Sequence, residues 1–270
     1  MPLTRLQTHV LQLLAGYRSP DSYIAGGVAL NREGPRFSGD IDIFQDSEER
    51  VTTAVAADIT VLADAGLILT GLKTQTGKRS ILVEGLDEMM LLEWVADSDF
   101  RFFPAQRDEL FGYVLHPVDL ATNKAAAAAD RRAPRDIVDL VTIHETILPL
   151  GAVICAAVGR FPGQSPEEML ADITRHSRFT AEEFRTLALD SPVDVPVLHR
   201  RIRSMIENAE NFIHLIPSED VGVVFLDNGK PVQPNLGQMM RYVRRAGSRR
   251  GLWPSSPEIT SAMLDSYGEH

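Results

Sequence analysis

Gly26-Gly27-Val28-Ala29-Leu30-Asn31 and, after a short basic turn, Arg36-Phe37-Ser38-Gly39-Asp40-Ile41-Asp42-Ile43-Phe44 decide the reading of this chain. Ile41, Ile43 and Phe44 are strand formers. Residues two apart on a strand share a face, so Asp40 and Asp42 project together while Ile41 and Ile43 turn to a core. Two hard oxygen ligands on one strand suit Mg²⁺, which is held by one or two carboxylates plus substrate phosphates, better than Zn²⁺, which prefers His and Cys. Residues 22–25 read as a short apolar strand. Gly26-Gly27 then opens a helical turn over 28–31, where the absence of a Cβ lets main-chain N–H groups approach a phosphate.

Outward from these segments, periodicity assigns the neighbours. Leu6, Val10, Leu13 and Leu14 recur at helical spacing, which predicts a helix over 3–17. Ser47 caps a second helix reaching about residue 65, with Glu48 and Glu49 in its first turn; Arg50 stands where a reciprocal capping box needs Glu or Gln, and Gly66 stops the helix. Strand-like runs follow at 67–74, 79–84 and 88–95, the last two joined as a hairpin through Gly85-Leu86-Asp87. In the third, Glu93 interrupts an apolar run, and a carboxylate on a buried strand is costly unless it is paired or binds metal. Glu93 is therefore a candidate third ligand. Residues 104–114 read as a hinge, and Pro117 begins a helical region. Its first helix, 118–130, carries Lys124 amid alanines in a chain whose lysines are only Lys73, Lys78, Lys124 and Lys230. The next, 135–148, carries Asp136 and Asp139 on one face, with Arg132 and Arg135 in pairing range.

A glycine pair, some ten residues and Asp-x-Asp make a pattern that resembles the nucleotidyltransferases of the DNA polymerase β superfamily. The fuller string, with Lys124 and Arg135-Asp136-x-x-Asp139 downstream, is similar to the AbiEii-type toxin branch over about residues 20 to 145. The resemblance implies an α+β fold, a polymerase β-like mixed sheet flanked by helices, followed by a mainly helical C-terminal portion. A nucleotidyltransferase core would occupy 1–104, and a helical domain at 105–270 would contribute Lys and Asp to the site. It further implies transfer of a nucleoside monophosphate from an NTP to an acceptor, with tRNA or another RNA, or a protein, as the acceptor and an antitoxin as partner. Two Mg²⁺ ions would be held by Asp40, Asp42 and a third carboxylate on a neighbouring strand. Glu93 stands in that place, with Asp97 or Asp99 as alternatives. Gly26, Gly27 and Lys124 would orient the β- and γ-phosphates, Arg36 and Ser38 would border them, and Asp139 would position Lys124 or the substrate. Asp136 would be a cap or ion-pair partner.

Composition narrows the classes further. The chain has 270 residues, 44% hydrophobic and 24% charged, enough for a sizeable core. A net charge of −10 speaks against a nonspecific nucleic-acid coat, which works by neutralising phosphates over a broad basic surface. Local patches stand at Arg131-Arg132 with Arg135, at His199-Arg200-Arg201 with Arg203, and at Arg241, Arg244, Arg245, Arg249 and Arg250. The single Cys155 rules out an intramolecular disulfide and reads as a buried small residue. No apolar run is long enough to span a bilayer and the N-terminus lacks a secretory pattern, so the expectation is cytoplasmic. Past residue 150, helices are expected after Ser165 and Thr180 and over 197–215, a small hairpin around Asp227-Asn228-Gly229-Lys230, and a basic helix over 236–246. Two other readings compete with the toxin-like one: a small-molecule nucleotidyltransferase of aminoglycoside-modifying type, and a non-catalytic binding module. Intact Asp40, Asp42, Glu93 and Lys124 weigh against the second.

Overall fold

A computed structural model describes residues 3–161 and 163–249. Helix α1 (Arg5–Leu14) begins at a capping box in which Thr4 and Gln7 satisfy each other's backbone N–H groups, and it buries Leu6, Val10, Leu11 and Leu14. Strand β1 (Ser22–Ala25), the one-turn helix α2 (Gly26–Leu30), β2 (Asp40–Gln45) and α3 (Glu48–Asp64) follow, then β3 (Ile68–Gln75), β4 (Lys78–Gly85) and β5 (Glu88–Ala96). The turn joining β4 to β5 is Leu86-Asp87, with φ of 54° and 61°, the primed geometry that matches the twist of a two-residue hairpin although neither residue is glycine.

After β6 (Phe100–Arg101), the short strands β7 (Gln106–Asp108) and β8 (Gly112–Val114) join the main sheet. Its order is β3-β4-β5-β2-β1-β8-β7. The β2–β5 and β1–β8 pairs are parallel and the others antiparallel, so the sheet is mixed. The stretch expected as a hinge, 104–114, thus supplies an edge of the sheet; β8 is held there by pairing with β1, which lies far off in sequence.

Alternation on β2 sorts the two faces. Ile41 and Ile43 are fully buried, with Leu92, Trp94, Ile81 and Val83, under α1 and α3. A polar knot sits inside this apolar layer: buried Asp58 on α3 accepts hydrogen bonds from Arg18 and from Trp94 Nε1, the latter at 2.7 Å. Asp40, Asp42 and Phe44 occupy the opposite face.

Helices α4 (Pro117–Asp130), α5 (Pro134–Thr146), α6 (Leu150–Ala157), α7 (Pro166–His176), α8 (Ala181–Arg185) and α9 (Val195–Leu215) pack around a separate core that includes Leu140, Ile154, Ile173, Phe184 and Met205. Cys155 lies buried in it, its thiol pushed up to about 12 by burial first and by Glu167 second. The alanines that flank Lys124 are the close-packing surface of α4, with Ala121, Ala125 and Ala128 at 0% exposure. The α2–β2 loop crosses to this bundle: Phe37 N donates to Ala188 O at 2.9 Å and Asp190 N to Pro35 O at 2.8 Å.

Beyond α9, β9 (Val223–Asp227) and β10 (Lys230–Val232) form the expected hairpin, with Asn228 and Gly229 at φ of 51° and 76°. The helix expected over 236–246 does not form. Leu236–Arg241 is a kinked 3₁₀ segment, and Val243–Ala246 (β11) pairs antiparallel with β9, after which β12 (Ser248–Arg249) pairs with β6. Helical propensity in Met and Arg yields here to an edge that offered unpaired backbone groups. Arg250 of the basic cluster lies outside the described residues. No single described helix is long and apolar enough to cross a membrane.

Candidate active site

The cleft lies between the free face of the sheet and α4. Its floor begins at Gly26, whose φ is 66° and whose missing Cβ would stand 1.8 Å from Asp42 Oδ2. A Cβ on Gly27 would stand 2.5 Å from Ser38 Oγ and 2.7 Å from an Arg36 guanidinium nitrogen. The glycine pair is therefore what allows the carboxylate, the hydroxyl and the guanidinium to lie directly against the β1–α2 turn. Ser38 is fixed in turn, because Gln7 Nε2 donates to its carbonyl at 2.7 Å and its own Oγ donates to Asp40 Oδ1 at 2.6 Å.

The parallel register sets Asp42 opposite Glu93, and one carboxylate oxygen each from Asp40, Asp42 and Glu93 lie within 4.8 Å of one another. Asp97 is drawn instead to Arg160, and neither it nor Asp99 belongs to this group. Burial and then the charges of Asp40 and Glu93 push the Asp42 carboxyl up to about 7, while Lys124 and Lys78 pull the other way. Three half-buried, mutually repelling, oxygen-only donors on adjacent strands are a donor set that fits a hard divalent cation.

Lys124 reaches in from α4. Its Nζ lies 2.9 Å from Asp136 Oδ1 and 2.9 Å from Asp139 Oδ2, and both aspartates are fully buried. Asp139 also accepts two bonds from Arg36, at Nε and a terminal nitrogen, each 2.9 Å, and one from Asn31 Nδ2 at 2.9 Å. Burial alone would raise the Asp139 carboxyl, but Lys124 and Arg36 outweigh it and hold the group below the usual carboxylate range. Asp136 is likewise held low against its burial, by Arg131 and Lys124.

The cavity these elements enclose measures about 310 Å³. Gly26, Gly27, Arg36, Ser38, Asp40, Asp42, Glu93 and Lys124 all line it, whereas Asp136 and Asp139 stand behind Lys124 and do not. The expected pairing on α5 is redistributed: Arg131 takes Asp136, Arg132 takes Glu183, and Arg135 stands at the cavity. Sequence reasoning missed Lys78, which lines the cavity with its Nζ 2.7 Å from Glu93 Oε2, and Asn31, which ties α2 to Asp139. Starting the strand at residue 78 would have found the first, since alternate residues from Lys78 share the face of Glu93's partner Ser80. Arg241 and Arg244 of the C-terminal cluster are matched by Asp227 and Asp220, and Arg245 donates to the Phe102 carbonyl.

Comparison with known proteins adds family information to this geometry. The profile of the family described as nucleotidyl transferase AbiEii toxin, type IV TA system, matches residues 19–215. Among solved structures, the nucleotidyltransferase toxin MenT4 from Mycobacterium tuberculosis H37Rv superposes with a TM-score of 0.58 at 16% identity, covering 79% of this chain and 83% of that one. A nucleotidyltransferase candidate from H. pylori superposes with a TM-score of 0.46 at 16% identity, over 78% of this chain and 98% of its own. No curated protein matches by sequence.

Proposed function

The chain belongs to the AbiEii nucleotidyltransferase toxin family, and from that premise we propose that it transfers a nucleoside monophosphate from an NTP to an RNA acceptor, tRNA foremost, in a divalent-metal-dependent reaction restrained by a cognate antitoxin. The observation that carries this reading is the contact of the Gly26-Gly27 turn with Asp42 and Ser38, beside Asp40 and Glu93, which supports a polyphosphate cradle next to a cation site. An acceptor hydroxyl oxygen bonds to the α-phosphorus as the α–β anhydride bond breaks and pyrophosphate leaves.

Catalysis of such a step is mostly positioning and charge neutralisation. Asp40, Asp42 and Glu93 are the residues that would hold the metal. When bound, Mg²⁺ supplies Lewis-acid polarisation of phosphoryl oxygens and eases deprotonation of the attacking hydroxyl. Backbone N–H groups at Gly26 and Gly27 offer neutral donors to the phosphates. Arg36, against the glycine turn, and Lys124, reaching in from α4, present fixed positive charge, and their aim is set by Asp139 and Asp136 rather than by solvent. Ser38 keeps Asp40 oriented through its 2.6 Å hydrogen bond.

The test is incubation with each α-³²P-labelled NTP, Mg²⁺ and total cellular RNA, beside an Asp42→Asn variant that melts like the wild type. Label on RNA that vanishes in the variant and in chelator supports the proposal. Absence of label with every NTP, together with absence of metal-dependent NTP binding, refutes it.

A further inference from the structure

The two lysines of the cleft are held in different ways. Lys124 is locked: its side chain is 10% exposed, and its partners Asp136 and Asp139 are both fully buried and outside the cavity. Lys78 is 39% exposed and has one carboxylate partner, Glu93 Oε2 at 2.7 Å, which is also a member of the three-carboxylate cluster. Backbone register explains the reach. Lys78 pairs with Val95, which places it on the same sheet face as Glu93 and one diagonal step away. It opens β4 directly after Gly77, so its stem leaves the sheet from a turn rather than from a packed strand interior.

We infer that Lys78 is a phosphate ligand kept in place by Glu93 and released by the cation that Glu93 binds. The inference rests on the nucleotidyltransferase reading of the cleft. Without a cation, the ammonium offsets part of the repulsion among Asp40, Asp42 and Glu93. A divalent cation at those carboxylates carries twice its charge and displaces it from Glu93. The freed ammonium, a compact point charge on a flexible four-carbon stem, lines the same cavity and faces the incoming polyphosphate. Cation loading and triphosphate capture are then coupled through one side chain: the metal must evict Lys78, and the anion gains it.

Opposite signs in two binding measurements separate this role from a structural one. In Lys78→Met, Mn²⁺ titrated alone, by calorimetry or by loss of its free EPR signal, should bind about fivefold more tightly, the range of one half-exposed ion pair. Inorganic tripolyphosphate titrated in saturating Mn²⁺ should bind about tenfold more weakly, as expected for one lost charge-assisted contact. Lys78→Arg should restore most of the anion affinity. Weaker Mn²⁺ binding in Lys78→Met would mean that the lysine merely positions Glu93, and unchanged tripolyphosphate affinity would mean that it never meets the anion; either overturns the inference while leaving the transferase reading standing. A wild-type protein that binds neither ligand overturns both.

Discussion

Replacing Gly26 with alanine sets a single methyl against the centre of the cleft. Its carbon would stand 1.8 Å from Asp42 Oδ2 and 2.7 Å from Cγ, where ordinary contacts do not fall below 3.0 Å. The carboxylate must therefore retreat by ~1.2 Å, several times what a Mg²⁺–oxygen bond near 2.0–2.1 Å tolerates. The backbone contributes a second cost, because φ of 66° is left-handed and disfavours alanine by about 1 kcal/mol. That backbone cost is small against the stability of a domain, so the variant should fold and melt a few degrees lower. Displacement of a reacting-centre group by ~1 Å is expected to cost about 10²-fold in rate. Gly27→Ala should be milder, about tenfold in rate, since its methyl meets Ser38 and Arg36, neither of which belongs to the three-carboxylate cluster. Gly16, with nothing within 4 Å of its absent Cβ, provides a neutral control. The assay is the initial rate of labelled NMP incorporation as a function of Mg²⁺, beside thermal denaturation of each variant. Gly26→Ala within about threefold of the wild-type rate would refute the argument that this contact shapes the cation site.

Two further outcomes follow from buried charge. His116 caps α4 by accepting from Val118 N at 3.1 Å and stacks on Phe103 at 3.9 Å, and burial followed by Arg245 pushes its pKa down to about 4. The unfolded chain takes up this proton below about pH 6.5 and the native state does not, so stability is full above that pH and falls by about 2 kcal/mol between pH 7 and pH 5. His116→Asn keeps a capping oxygen without the titration, and its denaturant midpoint should vary less over that interval; an unaltered slope would exclude His116 as the source. Asp139→Asn should lower unfolding stability by about 3 kcal/mol, because it strips the shared anion from Arg36 and Lys124 in a buried network. An unchanged urea midpoint would count against that network.

The alternation in Asp40–Gln45 was legible because each residue's neighbours on the strand determine its face, and it led directly to the side on which the carboxylates lie, whereas the mixed sheet came from the family resemblance. Lys124 and the Asp136–Asp139 pair were also legible as candidates, but the sharing of one lysine by both aspartates was not, since the crossing of α4 and α5 decides it. Lys78 was lost by a strand boundary placed one residue late. The knot of Arg18, Asp58 and Trp94 was invisible for another reason: its members lie on a loop, a helix and a strand that only the finished core brings together. Val243–Ala246 misled because its local composition suits a helix while its partner, β9, lies about twenty residues earlier in the chain.

The loop carrying Arg36 bears on how modular such a chain can be. By sequence Arg36 belongs to the sheet, yet its guanidinium answers to an aspartate on α5, and its backbone bridges to Leu189 beyond α8. Cutting the molecule between sheet and bundle would leave the Arg36 guanidinium and the Asn31 amide in one piece without their anion, and a buried carboxylate in the other with Lys124 as its one remaining partner. The helical portion is thus not a cassette to be exchanged freely beneath a constant catalytic sheet. Any replacement would have to return an acid to the same spot on its second helix, so lineages of this architecture can vary the outer helices far more readily than the one that bears Asp139.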